Sequence, residues 1–437
     1  MNRNVRDMIK FYAPLAATSV LMMSSHSIVS AGLARTAEAN AALAAYAVAQ
    51  SIAVMFEGPC YAMQRMGVAL FRDKTSYNSV RRTMLLFWAG LTALMLLVAF
   101  TPLGRHVFMG VLGVPENIFP SAIGAFRVFL LFPAASALRS FYQAIIVVNR
   151  KTGLLTINVV IRLSVMFLLS MLLPRIESLP GASVGAIVLS LGVLVEAAMA
   201  FLTGGRLAAK LPDKNPANAA VNVPGAIRFF IPIFLATVAW TFTRPVLNAA
   251  LARTAAPELA LATYQVAWSF SFTFTAVVFN LHQLAIIFGQ EIEQRREAMR
   301  FAMLVGLGGA LALSAVTFTP AGTFLLTQVI GAEAELAREA IKTIAIFCLL
   351  PVFAAATEFA SGVLMVAAKT QYLTIGKLLN MSMIILIATI TTTAFPTLGA
   401  QIAAMAMVGG SVTESVFLSL LSRKPYKTFM PPTIIED

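Results

Sequence analysis

Charge is what this 437-residue chain has least of. Asp, Glu, Lys and Arg make up 12% of it against 59% hydrophobic residues, and its mean hydropathy is +0.83. A soluble domain carries roughly 25% charged residues. Acid is scarcer still, with 19 Asp and Glu against 32 Lys and Arg. There are two cysteines, Cys60 and Cys348, both inside apolar runs, which excludes a disulfide framework. Metal-ligand spacings, nucleophile elbows and phosphate loops are missing. Gly308-Gly309 and Gly409-Gly410 sit within apolar runs and read as packing glycines. No segment between the apolar runs is long enough for a catalytic domain. No basic, aromatic-interleaved region offers itself to nucleic acid. An enzyme, a cofactor, a bound metal and a nucleic-acid partner are therefore not expected.

What the chain has instead is apolar length. Runs of about 20 residues, enough to cross roughly 30 Å of hydrocarbon as helix, recur from end to end. They are continuous rather than alternating, which argues against a membrane β-barrel. Twelve spans are predicted, near 9–34, 40–71, 83–103, 119–148, 154–173 and 181–204, then 224–252, 258–288, 300–320, 335–367, 373–393 and 398–421. The fold class is an all-α polytopic membrane protein in a lipid bilayer. Pro14, Pro59, Pro133, Pro232, Pro245 and Pro351 predict tilted or bent helices. The first run is too long for a cleaved signal and is expected to stay as the first helix.

The basic residues set the orientation. Arg3, Arg6, Lys10, Arg72, Lys74, Arg81, Arg82, Arg150, Lys151, Arg295, Arg296, Lys369, Lys377 and Arg423 fall on one side. The other side holds only Arg35, Arg105, Arg175, Arg253, Arg338 and Lys342. Both termini are expected in the cytoplasm, with the protein in the inner membrane. The net charge of +13 is mostly this topology signal.

The sequence is also written twice. Ala31-Gly32-Leu33-Ala34-Arg35-Thr36 returns as Ala249-Ala250-Leu251-Ala252-Arg253-Thr254, an offset of 218 in the numbering (249 less 31). Phe129-Leu130-Leu131-Phe132-Pro133 returns as Phe347-Cys348-Leu349-Leu350-Pro351, and Lys151-Thr152 returns as Lys369-Thr370. A period of half the chain is a duplicated domain rather than a solenoid. Six spans per copy make the repeats parallel, with their axis along the membrane normal. The expected domains are a six-helix bundle over 1–204, a cytoplasmic linker over 205–223 and a second bundle over 224–437.

Ionisable residues inside spans mark pathways or paired structural sites. Across the offset His26 lies opposite Arg244, and Gln64-Arg65 opposite His282-Gln283. A mildly cationic cavity along the seam between the halves follows if those spans face it. Arg244, His26, Arg65, Arg139, Asn248 and His282 are the candidate contacts for an anionic group, since a guanidinium binds carboxylate or phosphate oxygens in pairs. Glu57 and Glu358 are candidates for a coupling ion or gate. Glu196 and Glu414, at equivalent positions, are expected to pair with a cation and serve the fold. For each Arg the plainer alternative is an ion pair that locks helices together.

Several short motifs then point one way. Ile9-Lys10-Phe11-Tyr12-Ala13-Pro14-Leu15 opens the first copy, with Phe56-Glu57-Gly58-Pro59 and Met66-Gly67-Val68 in the second span. Thr243-Arg244-Pro245-Val246-Leu247-Asn248 is similar to a Ser-Arg-Pro-x-x-Asn pattern, and Gly399-Ala400 and Thr413-Glu414-Ser415 lie in the last span. Together these resemble the progressive ankylosis protein family, within the multidrug/oligosaccharidyl-lipid/polysaccharide exporter superfamily that includes the MATE transporters. The resemblance implies a MATE-like fold and export of anionic metabolites such as pyrophosphate, nucleotide phosphates or citrate, with Arg244 carried over by its motif. Many multidrug members have an acid in the first span, whereas here no acid lies between Asp7 and Glu38.

The expected protein is a monomeric exporter of a small anionic molecule that alternates access between two lobes, with H+ or Na+ as the possible coupling ion. Its rivals are a multidrug antiporter for cationic or amphipathic compounds and a lipid-linked oligosaccharide flippase. An intramembrane enzyme or scaffold is disfavoured by the lack of a catalytic cluster.

Overall fold

Within hydrocarbon every backbone N–H and C=O must be bonded inside its own segment, so apolar runs of this length become helices. A computed structural model describes residues 3–33, 35–36, 39–112, 114, 116–176, 178–213, 221–289, 292–329 and 334–423. The helices of the first copy are α1 (Arg3–Leu33), α2 (Ala39–Leu70), α3 (Lys74–Phe100), α4 (Phe119–Val128), α5 (Phe132–Val148), α6 (Gly153–Leu172) and α7 (Gly181–Ala208). Those of the second are α8 (Val223–Thr241), α9 (Thr243–Leu251), α10 (Pro257–Thr275), α11 (Leu281–Phe288) and α12 (Ile292–Thr317). They continue as α13 (Ala334–Phe347), α14 (Leu350–Val366), α15 (Gln371–Ala394) and α16 (Gln401–Ser422).

Among the described residues, 11 helical stretches are long and apolar enough to cross a membrane. The 31-residue α1 makes the twelfth by length, but its Ser24-Ser25-His26-Ser27 string makes it less apolar than the others. The chain is an all-α polytopic protein, as its composition predicts.

Proline interrupts the helices in step. A 3-10 turn at Phe129–Leu131 separates α4 from α5 ahead of Pro133, and Cys348-Leu349 separate α13 from α14 ahead of Pro351. A single non-helical residue, Phe242, divides α8 from α9 shortly before Pro245. A proline cannot donate to the preceding turn, so each break falls just upstream. The copies agree in finer detail as well. Arg150 and Ala368, equivalent across the repeat offset, are the non-glycine residues with positive φ among those described, at 55° and 53°. Each follows a helix and is pinned there, because Lys151 N–H donates to Ile146 O at 3.1 Å and Lys369 N–H to Leu364 O at 2.8 Å. This left-handed stop lets the chain reverse tightly into the next helix.

The described residues divide into two compact units. One comprises those of 21–230, here the first-half unit. The other, the second-half unit, comprises those of 1–20 and 231–431, so the start of α1 belongs to it. There Phe11 packs edge-on against Phe288 at 5.5 Å and Tyr12 against Phe301 at 6.0 Å. Tyr12 Oη donates to Val277 O, and Asn280 Nδ2 donates to Ser19 Oγ at 2.8 Å. Each unit has its own apolar core, around Phe108, Phe126, Phe129 and Phe132 in the first and Tyr264, Trp268 and Phe347 in the second. The expected tether over 205–223 begins inside α7, and 214–220 lie outside the described residues. Its near end is tied to the start of α3. Lys74 N–H donates to Pro212 O at 2.9 Å, and Lys74 Nζ meets Asp213 Oδ1 at 2.7 Å.

Candidate functional site

In the first-half unit four charged side chains gather where α2, α5, α6 and α7 meet. Glu196 on α7 is fully buried. Its Oε2 receives Arg162 Nη1 at 2.9 Å and Arg139 Nη1 at 3.2 Å, while its Oε1 receives Gln143 Nε2 at 2.8 Å. Arg139 turns its other arm to Glu57, with Nη2 to Oε1 at 3.2 Å. Ser136 Oγ and Tyr61 Oη also donate to that oxygen, each at 3.1 Å. Two arginines and two glutamates make this group neutral, and its carboxylates are met from within the cluster, although Arg139 Nε and Arg162 Nε are buried without a hydrogen-bond partner among the described residues. Charges withdrawn from water persist only when paired and bonded in this way.

Arg139 is thus engaged by Glu57 and Glu196. Arg65, on the same helix as Glu57 and about two turns beyond it, is half-buried. Arg127, another basic residue inside a span, is exposed and donates through Nε to Ala99 O at 3.1 Å. His26 lies on α1, but its side chain is outside the described residues.

The second-half unit carries two separate pairs. On α11 His282 Nδ1 lies 2.6 Å from Glu358 Oε2 on α14, with side chains 4% and 12% exposed. On α15 Lys377 Nζ meets Glu414 Oε2 of α16 at 2.7 Å, and Asn380 Nδ2 donates to the same oxygen at 2.9 Å. Lys377 also lies over the ring of Trp240, 4.9 Å from its centroid.

Arg244 is placed differently from every other candidate. It sits on α9 just past the Phe242 break and is exposed. Its guanidinium lies 6.0 Å from the centroid of Trp268. Among the described residues no carboxylate pairs with it. Asn248, one turn later, is exposed on the same face. The stretch α8–α9 has two accessible sides. Ile231, Leu235 and Phe242 form an apolar one, as expected for lipid contact. Trp240, Arg244 and Asn248, at intervals of one turn, form a polar one roughly half a turn around at about 3.6 residues per turn. The guanidinium therefore lies on the side of the stretch opposite the exposed apolar stripe.

The sequence-based candidates therefore separate. Arg139, Glu57 and Glu196 come together in one unit; His282 with Glu358, and Arg244 with Asn248, come together in the other. Lys377, Trp240 and Gln143 are not among those candidates. For Lys377 the repeat holds the signal, since the offset places it opposite Val159, a cation gained in one copy only.

Comparison with known proteins agrees with this architecture. The family model of the progressive ankylosis protein (ANKH) matches residues 2–226 and 214–396. Among solved structures, a MOP superfamily transporter from Pyrococcus furiosus, described as having a binding pocket of reverse polarity, is similar with a TM-score of 0.77 and 13% identity, covering 97% of this chain and 96% of its own. An outward-facing multidrug resistance MATE family transporter is similar at 0.78 and 12%, with the same coverage. The Vibrio cholerae MATE transporter VcmN in its bent form is similar at 0.72 and 16%, covering 96% of both chains. Identities this low speak for the fold alone. This chain is a membrane transporter that belongs to the progressive ankylosis protein family and has the fold of the MATE transporters.

Proposed function

We propose that the protein exports anionic organic metabolites, phosphates or carboxylates, by alternating access between its two six-helix bundles. It does so as a monomer in the inner membrane with both termini in the cytoplasm. One observation carries this reading: Arg244 is exposed on the polar side of a membrane-crossing stretch and has no carboxylate to neutralise it among the described residues. A guanidinium in that position attracts and orients an oxyanion through paired hydrogen bonds. Asn248 supplies a neutral donor one turn away, and Trp268 backs the guanidinium on its other face.

The acids that a cation carrier needs are otherwise engaged. Glu57 and Glu196 are sealed against arginines, and Glu414 is held by Lys377 and Asn380. Glu358 is the better placed of the two coupling candidates, because it is partly accessible and shares its oxygen with an imidazole that can carry a proton.

The test is to compare extracellular citrate and pyrophosphate from cells expressing the wild type and Arg244→Ala. The wild type should raise them, and the variant should return them to background. Two or more charge-assisted hydrogen bonds are at stake, a loss of roughly tenfold or more in binding. Resistance to toxic cations without anion export would overturn the reading in favour of a multidrug antiporter.

A further inference from the structure

We infer that Lys377 is a second, releasable anion contact, and that the substrate therefore carries at least two negative charges. During transport its ammonium leaves Glu414 for one anionic group while Arg244 holds another. This rests on the anion-export reading above and deepens it.

Accessibility supplies the first argument. In the Lys377–Glu414 pair the lysine side chain is 22% exposed and the carboxylate only 4%. An incoming anion reaches the cation and not the acid. On α15 the exposed Ile375, Leu378 and Leu379 form the lipid stripe, and Lys377 falls on the other side of the helix with buried Asn380 and Ile384. The solvent at its ammonium is thus not lipid.

Position supplies the second. The ammonium lies 4.9 Å from the ring centroid of Trp240, which is itself 36% exposed and begins the polar side formed with Arg244 and Asn248. Arg244 follows Trp240 by one turn, about 6 Å along the axis. Two cations thus lie along one stretch of accessible helix, and a substrate held by both must present an anionic group to each.

The third argument concerns what the release leaves behind. Stripping a buried carboxylate of its only partner is prohibitive, but Glu414 Oε2 keeps the Asn380 Nδ2 bond at 2.9 Å, and Asn380 is buried. Lysine suits the exchange because its ammonium is a compact charge on a flexible stem, with no fixed fork to realign. The equivalent acid of the first-half unit has no such freedom. Glu196 is fully buried between Arg139 and Arg162, side chains 2% and 4% exposed, and Val159 stands where Lys377 would be.

Equilibrium binding of radiolabelled citrate and pyrophosphate to the purified full-length protein, with acetate as the monoanion control, decides the matter. Lys377→Gln should weaken both polyanions roughly tenfold, and Lys377→Arg should restore most of that loss. Glu414→Gln should tighten binding several-fold, because the internal competitor is gone; a purely structural ion pair predicts weaker binding in both variants, together with a lower Tm. Unchanged affinity in Lys377→Gln with binding lost in Arg244→Ala would overturn this inference alone, as would weaker or unchanged binding in Glu414→Gln. No binding of either polyanion to the wild type would overturn both readings.

Discussion

Glu196 and Glu414 hold the same place in two copies of one helix, and the protein has treated them in opposite ways. The first is enclosed by Arg139, Arg162 and Gln143, and Glu57 completes a neutral quartet. Around the second those positions have been emptied of charge. By the repeat offset Thr357 stands for Arg139, Asn380 for Arg162, Ser361 for Gln143 and Thr275 for Glu57. One lysine from a new position takes over and stays partly accessible. On the proposed reading the enclosed network serves the fold, while the partly accessible Lys377 and Arg244, which has no carboxylate among the described residues, are the groups open to a substrate. The two copies of this helix have thus diverged in how they neutralise the same carboxylate, with two buried arginines in one and a partly accessible lysine in the other.

The contrast breaks most visibly at Arg139. Arg139→Ala would leave the buried Glu57 without its cation and Glu196 with Arg162 and Gln143 alone, at about 3–5 kcal/mol, read as a sharply lower Tm in detergent or no recoverable folded protein. At the matching position Thr357→Ala should cost about 1 kcal/mol or less, since the Thr357 hydroxyl is buried without a hydrogen-bond partner among the described residues. Equal tolerance of the two changes would erase the distinction between the units.

A smaller effect sharpens it. Gly192 and Gly410 are repeat equivalents in α7 and α16. A methyl group on Gly410 would come within 2.9 Å of the Asn380 carbonyl and 2.8 Å of Ile384 Cγ1, whereas one on Gly192 would meet the pliant Met166 side chain. Gly410→Ala should therefore destabilise by about 1–3 kcal/mol and Gly192→Ala by less, in the same unfolding measurement. The smallest effect lies outside the membrane. Lys74 holds the fully exposed Asp213 carboxyl below the usual carboxylate range. A depressed acid stabilises at pH above its ordinary value near 4 and loses that contribution as pH falls through its lowered one. Lys74→Ala should thus shift Tm only at low ionic strength, and the difference should vanish in acid.

The architecture is legible in the sequence because bilayer and backbone leave apolar runs so few options. Matching prolines forecast the breaks before Pro133 and Pro351, and the repeated Lys-Thr pair after the turn marks where Arg150 and Ala368 adopt the same backbone. Rotation of each helix about its axis is not legible. In a soluble protein the apolar face points inward, but here Leu378 is exposed and Ile384 is buried, so hydropathy does not tell them apart. The partners of Arg139 are 57 and 82 residues away along the chain, and no local spacing connects them. Lys377 reads from sequence as a topology charge near the cytoplasm, because a lysine close to a span end has that role by default.

Residues 1–20 belong with residues 231–431, and this sets an order of events at the ribosome. Tyr12 is made early, but Val277, which receives its hydroxyl, stands 265 positions further along the chain, and Phe301 later still. At roughly 5–20 residues per second that is a wait of about 10–50 s. The opening helix must pass that interval in the membrane with its first half unclaimed. Completion of the second-half unit thereby needs residues 1–20 as well as 231–431, and a chain lacking the stretch up to Val20 would lack a piece of that unit.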